Sequence, residues 1–266
     1  MSIIKNLILD IFYNRHVLWV LSVQQLRNKY LGTLGGLIWA IAHPIVLLFV
    51  FWVALVVGLK TQVTGDQPYL LVLLCGLIVW MPFNEAVGAA PNVIIGHSYL
   101  ISKISFPCEI LPLTSIISSF FSHFISFLFL ILMFFYYQKT PGFSVFYLPY
   151  YMMCLFILMA GLSWLLSALN VIYRDTAQVV TIFLNMWFWI TPIIWDKSTL
   201  SEDLSFITTY NPLAYIVDGY RSVLLNSDVH TLSVKETVVF WLIALSLFYF
   251  GTKIFSSLKT SFADIL

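Results

Sequence analysis

The chain has 266 residues, of which 61% are hydrophobic and only 9% charged, with a mean hydropathy of +0.94. A soluble domain of that length needs far more charge to cover its surface, so the bilayer must be its main solvent. The net charge of +1 includes no basic block able to hold a phosphate backbone, which excludes nucleic acid as a partner.

Residues 1–33 predict an amphipathic interface helix. Trp19, Val23, Leu26 and Tyr30 recur at i, i+4, i+7 and i+11, while Gln24, Arg27 and Asn28 fall largely elsewhere. A cationic helix with a Trp and a Tyr suits the membrane surface; packing against the spans is the alternative. Mixed charge and apolar residues also argue against a cleaved signal peptide here.

Crossing the hydrocarbon takes about 20 apolar residues. Six segments qualify: 37–59, 69–89, 113–137, 145–170, 177–195 and 237–255. No repeat or linker divides them, so the expected fold is an all-α membrane protein. It is one domain over 1–266, with a six-span bundle over 37–256. With both termini on the cytoplasmic side, that side holds Lys5, Arg15, Arg27, Lys29, Lys103, Arg174, Lys253 and Lys259. The other side holds only Lys60, Lys139, Lys197, Arg221 and Lys235, so the basic bias favours termini inside.

Residues 91–111, between spans two and three, predict a cytoplasmic coupling loop. Pro91, Pro107 and Pro112 bound a stretch too polar for lipid. It still offers Leu100, Ile101, Ile104 and Phe106 as an apolar contact surface, with Lys103 and Glu109 at its rim. A surface helix that merely returns the chain is the plainer reading. Between spans five and six, Asn211-Pro212 is a helix start, because Asn caps well and Pro at the first position loses no hydrogen bond. Leu213, Ile216, Val217, Tyr220 and Leu224 then repeat at helical spacing. The helix is too short to span and is expected to be re-entrant, shielded by protein.

Ionisable residues inside spans are functional candidates by default. Glu85 lies near the inner end of span two and can reach the interface. His123 is expected to be neutral and bonded to a neighbouring helix, with a proton relay as the alternative. Cys75, Cys108 and Cys154 have no paired spacing and read as small hydrophobes. No H-E-x-x-H or Cys cluster suggests a metal. The absence of any G-x-x-x-x-G-K-[ST] loop means the chain is not an ATPase. It is expected to be no enzyme and to bind no cofactor. In span five, Phe183, Trp187 and Phe188 sit deeper than interface anchors do. Aromatic faces suit sugar rings, and ordinary packing explains them equally well. Pro44 and Pro192 each predict a helix break.

Taken in order, these segments resemble the ABC type-2 permeases that export O-antigen, capsule and teichoic-acid polymers. The resemblance is carried by KYLGTLGGLIWAIAHP (29–44), the stretch from Gly76 through FPCEILP (106–112), NVIYRDTAQ (170–178), FWITPIIW (188–195), NPLAYIVDGYR (211–221) and FADIL (262–266). It implies a homodimer with two ATP-binding cassette subunits, which would hold ATP and Mg2+, in the bacterial inner membrane. The conduit would run between protomers along spans one and five, with Trp39, Phe183, Trp187 and Phe188 on the path. Arg174 and Asp175 would form a cytoplasmic turn. The substrate would be a glycan on undecaprenyl pyrophosphate or a related lipid, O-antigen first. Cys108 stands where the family often has a basic residue, which would soften contact with an anionic partner. Export of another lipid or a drug, and an integral-membrane enzyme of lipid-linked sugars, are the alternatives.

Overall fold

A computed structural model describes residues 2–30, 38–58, 68–103, 106–139, 143–197, 200–225 and 233–266. Ile104, Lys60 and the stretch 31–37 therefore lie outside the described residues. Every regular element described is helical. In chain order they are α1 (Ser2–Tyr13), α2 (Arg15–Tyr30), α3 (Ile38–Phe51), α4 (Tyr69–Val93), α5 (Ser98–Lys103), α6 (Leu111–Tyr136), α7 (Leu148–Ile172), α8 (Thr176–Ile190), α9 (Phe206–Thr209), α10 (Pro212–Leu225) and α11 (Val234–Ile265). Four of them, α4, α6, α7 and α11, are long and apolar enough to cross a membrane.

α4 forms the centre. In its most apolar stretch 78% of the residues are buried, against 28% in α11. It is apolar all round, as a helix enclosed by protein must be, and α6, α7, α8 and α10 pack around it. α6 meets it through small polar residues, with Ser115, Ser119, Ser122 and Ser126 all buried. Their spacing of i, i+4, i+7 and i+11 keeps them on one face and lets the backbones come close. α7 and α11 approach still more closely at glycine. A Cβ added at Gly251 would sit 2.2 Å from the Gly161 carbonyl oxygen, and one at Gly161 would sit 2.6 Å from the Phe248 nitrogen.

Several boundaries differ from the sequence expectation, each for a local reason. The N-terminal segment is two helices, divided at Asn14, whose side-chain amide donates to the Asp10 carbonyl at 2.8 Å. α2 lies beside α6 with Leu18 and Ser22 buried, while Trp19 on the expected apolar stripe is 63% exposed. α3 runs through Pro44 and ends in a wider π-helical turn, Trp52–Gly58. α8 stops at Ile190, short of the expected 195. Thr191 precedes Pro192 and takes the extended conformation that a following proline imposes, φ −80° and ψ 137°. α11 runs well past residue 255 to Ile265, starting from a capping box in which Ser233 and Glu236 bond each other's backbone amides.

Candidate functional site: an aromatic ladder and two polar anchors

The ladder lies along α8. Phe183 and Trp187 are one turn apart, with ring centroids at 5.0 Å. Trp187 meets Phe83 of α4 edge-on at 5.1 Å, Phe83 lies 5.9 Å from Trp80, and Trp80 lies 5.1 Å from Phe188. Phe188 in turn contacts Phe51 of α3 at 5.8 Å. Of the four predicted path residues, Phe183 and Trp39 are more than half exposed, whereas Trp187 and Phe188 are half-buried in the ladder. Val179, Ile182, Met186 and Ile190 continue the uncovered apolar face of α8. Such an arrangement backs Phe183, Trp187 and Phe188 with the buried rings of Phe83 and Trp80 and leaves Phe183 more than half exposed.

At one end the ladder is fixed to the connection after α8. The Trp187 indole donates to the Asn211 side-chain oxygen at 2.9 Å. The same oxygen accepts from the Leu213 backbone amide at 3.0 Å, so Asn211 caps α10 as its position before Pro212 predicts. Its NH2 donates to Thr191 Oγ at 3.0 Å. The bend at Pro192 and the start of α10 are thus locked together through one side chain.

α10 is enclosed by protein: all residues from Asn211 to Arg221 are buried, seated against α4, α7 and α11. Arg221, counted among exposed charges from the sequence, is 1% exposed. It donates to the backbone oxygens of Ile193 at 2.7 Å and Val72 at 3.3 Å, and lies 4.0 Å from Asp218. Asp218 pairs with Lys197 at 3.1 Å, and Lys197 reaches Glu236 at 3.6 Å. Burial pulls the Lys197 amine down, but the two carboxylates together outweigh it and raise its pKa. A neutral chain lies alongside. Trp241 donates to the Tyr150 hydroxyl at 2.9 Å, Tyr150 and Tyr215 bond at 2.9 Å, and Tyr215 donates to Thr237 at 3.3 Å. With the hydroxyl protons assigned in that direction, each hydroxyl donates one bond.

His123 sits in the middle of the bundle, buried. Nδ1–H donates to the Ile78 carbonyl at 3.1 Å, leaving Nε2 to accept from the Tyr220 hydroxyl at 3.3 Å. Both nitrogens are occupied by neighbouring helices, α4 and α10, as a structural neutral imidazole requires.

The opposite end carries α5. Glu85 accepts from Lys29 of α2 at 2.7 Å and from Ser122 of α6 at 2.9 Å. Glu109, expected at an exposed rim, is buried and paired with Lys259 near the end of α11. The Trp164 indole donates to its backbone oxygen at 3.0 Å. Cys108 beside it is buried too, so it presents no surface to a partner. Leu100 and Ile101 are half-buried on α5, and Ile101 packs onto the core; α5 rests on α11. Lys103 closes that helix, and Ile104 lies beyond the described residues. Arg174 and Asp175, with Tyr173, form the exposed three-residue turn between α7 and α8. Asn170 anchors that turn, donating to the Pro91 carbonyl at 2.9 Å and accepting from the Ala177 amide at 3.1 Å. The sequence reading missed Asn170, Lys259 and Trp164. A polar residue ending a long apolar run was the available signal for Asn170.

Four long apolar helices around a buried centre and an uncovered aromatic face define a multi-pass α-helical membrane protein. The profile of the family described as ABC-2 type transporter matches residues 16–225, and the chain belongs to that family. It is similar to two proteins named O-antigen export system permease protein RfbA from Klebsiella pneumoniae. Each is 27% identical over 252 residues, spanning 94% of this chain and 95% of the relative. A protein of the same name from Myxococcus xanthus is 23% identical over 262 residues, 97% of this chain and 98% of its own length.

Proposed function

We propose that this chain is the permease subunit of an ATP-driven exporter that moves lipid-linked polysaccharide, O-antigen in the first instance, from cytoplasm to periplasm. The observation that carries the reading is end-to-end similarity to permeases named for O-antigen export, with nearly complete coverage on both sides. In this reading the chain is one domain of six spans: α3 with its π-helical turn, α4, α6, α7, α8 and α11. α8 is shorter than the other spans at 15 residues, about 22 Å. The turn at 191–195 and the cap of α10 complete its depth. Both termini and α5 face the cytoplasm, and α10 lies at the periplasmic side.

Two copies and two ATP-binding cassette subunits make up the transporter, the latter holding ATP and Mg2+. The uncovered faces of α3 and α8, with Trp39 and Phe183 exposed and Trp187 and Phe188 behind them, would line the conduit between the copies. Rings held edge-on present C–H-binding faces that tolerate sliding, which a polymer of unfixed register needs. Leu100, Ile101, Lys103 and Ile104 would receive the motor's stroke through α5, a short helix fit to seat in a groove. Glu109 serves this by fastening the loop to α11 rather than by touching the partner. The test is affinity purification of the tagged chain from its own host membranes. An ATP-binding subunit should copurify, and ATP hydrolysis should track that subunit and vanish when the chain is isolated without it. Hydrolysis by the chain alone would overturn the reading.

A further inference from the structure

Nearly every polar side chain in the bundle interior is committed to a partner, as Asn170, Asn211, His123 and the serines of α6 illustrate. A few buried polar atoms among the described residues depart from that pattern, and one of them, the Gln25 side-chain oxygen, borders a cleft. A cleft of about 280 Å³ opens between α2 and the α5 end of α4, one helical turn beyond the Lys29–Glu85 pair that ties the two helices together. Gln24, Gln25 and Asn28 line it from α2, and Asn92 and His97 from the other wall. Among the described residues the carboxamides of Gln24, Gln25 and Asn28 make no hydrogen bond. The Gln25 side-chain oxygen is buried with no partner. The Asn92 oxygen accepts from Asn170 at 3.4 Å, which leaves its NH2 available. Nδ1–H of His97 donates to the Val93 carbonyl at 2.8 Å, so Nε2 of the neutral ring is an open acceptor. Leu21, Ala89 and Val93 supply an apolar floor.

We propose that this cleft is a saccharide subsite that takes one sugar ring of the lipid-borne glycan. The proposal rests on the exporter reading and names where that substrate is first held. Carboxamides both donate and accept, which matches ring hydroxyls that do the same. Gln24, Asn28 and Asn92 are exposed along the cleft and can exchange water for ring hydroxyls, and a rotation of the Gln25 side chain brings its enclosed, unpartnered oxygen to the same ligand. Phosphate is a poor occupant, because its oxygens only accept and no Lys or Arg lines the cleft. A protein segment is a poor one too, because the space is below the usual size of even a small-ligand site and lacks an aromatic or arginine anchor. The apolar floor suits the C–H face of a sugar. In the proposed orientation the cleft lies at the inner membrane surface, where a glycan on a lipid anchor begins.

The structure also supplies a selective probe. A Cβ added at Gly96, on the cleft wall, meets no atom within 4 Å, so a side chain can be added at the rim of the cleft without a clash at its first carbon. The experiment uses the permease with its ATPase in nanodiscs. It measures ATP hydrolysis against added glycan-lipid extracted from the host, and against polyprenyl pyrophosphate carrying no sugar. The wild-type complex should be stimulated by the glycan-lipid. Gly96→Phe and Gln25→Leu should each need at least about tenfold more of it for half stimulation. For Gln25→Leu, which lies outside the coupling loop, the yield of ATPase and the hydrolysis rate without substrate should stay within about twofold of wild type. Should Gly96→Phe fail to accumulate, the near-isosteric Gln25→Leu decides alone. Unchanged half-stimulation in Gln25→Leu overturns the subsite. Equal stimulation by the sugar-free lipid overturns its saccharide chemistry. Loss of the copurifying ATPase instead makes the cleft a seat for that subunit. A wild-type complex deaf to glycan-lipid would sink the exporter reading itself, a distinct failure.

Discussion

The two ends of the bundle are built differently. At the α10 end, polar contacts are many and shared: Arg221 reaches two carbonyls, Asn211 joins three elements, Lys197 pairs with two carboxylates, and a tyrosine chain runs beside them. At the α5 end, two ion pairs, Lys29–Glu85 and Lys259–Glu109, each with a cation more than a third exposed, join the bonds of Asn170 and Trp164. Redundant buried networks rigidify, whereas a few half-exposed pairs can be exchanged cheaply. In the proposed orientation the α5 end would receive the stroke and the α10 end would frame the exit, which the contrast suits.

The most drastic way to break the comparison is at the seat of α10. A Cβ at Gly219 would lie 2.2 Å from a Tyr151 ring carbon. Gly219→Val should therefore abolish accumulation of folded permease, measured by detergent-stable monodisperse yield. Normal yield would show that this end is less tightly built than described.

Next in size is the inner tie. Glu109→Gln removes the charge that holds Lys259, which is 39% exposed and free to turn to water. The stability loss should be modest, about 1 kcal/mol or less. The number of ATP molecules hydrolysed per polymer exported should rise several-fold. The swap of Glu109→Lys with Lys259→Glu should restore much of the ratio, an outcome that a purely structural role would not give.

A smaller effect sharpens the ladder. Trp187→Phe keeps a ring beside Phe83 and Phe183 but drops the bond to Asn211. It should cost on the order of 1 kcal/mol in thermal stability. Trp187→Ala should lower export further than it lowers assembly with the ATPase. Equal losses in both would mark the residue as packing alone.

Some of this was legible in the chain and some was not. Asn211-Pro212 announced its helix, because capping chemistry is local. His123 was readable as a neutral bonded residue, since a lone imidazole among serines and phenylalanines has few other ways to be satisfied. Glu109 was not readable. Its partner Lys259 is 150 residues away in sequence, and a carboxylate beside prolines in a polar loop looks solvent-facing until that contact is known. The end of α8 was half legible: Pro192 marked a break, but the inward turn of 191–194 depends on Arg221 capturing the Ile193 carbonyl. The serine stripe of α6 was present in the sequence at helical spacing, a signal for close packing against α4 that composition alone hides.

The smallest expected effect concerns pH. The raised pKa of Lys197 means its pairing with Asp218 and Glu236 stabilises fully below its ordinary value of 10.5 and is lost only as pH rises through the higher folded-state value. Thermal stability of the wild type should thus show no pH dependence from this group between about pH 6 and pH 9, where its contribution is fully present. An alkaline decline above pH 10.5 should be absent in Lys197→Met.

The central claim, that this chain is the membrane path of an ATP-driven glycan exporter, is tested most directly in inside-out inner-membrane vesicles. These would hold the chain and its partner ATPase, loaded on the outer, formerly cytoplasmic, face with lipid-linked glycan. The account predicts that ATP makes the glycan inaccessible to an added glycosidase, and that omitting either the chain or ATP prevents it. Glycan that stays fully digestible in the complete system, while the ATPase hydrolyses ATP, would contradict it.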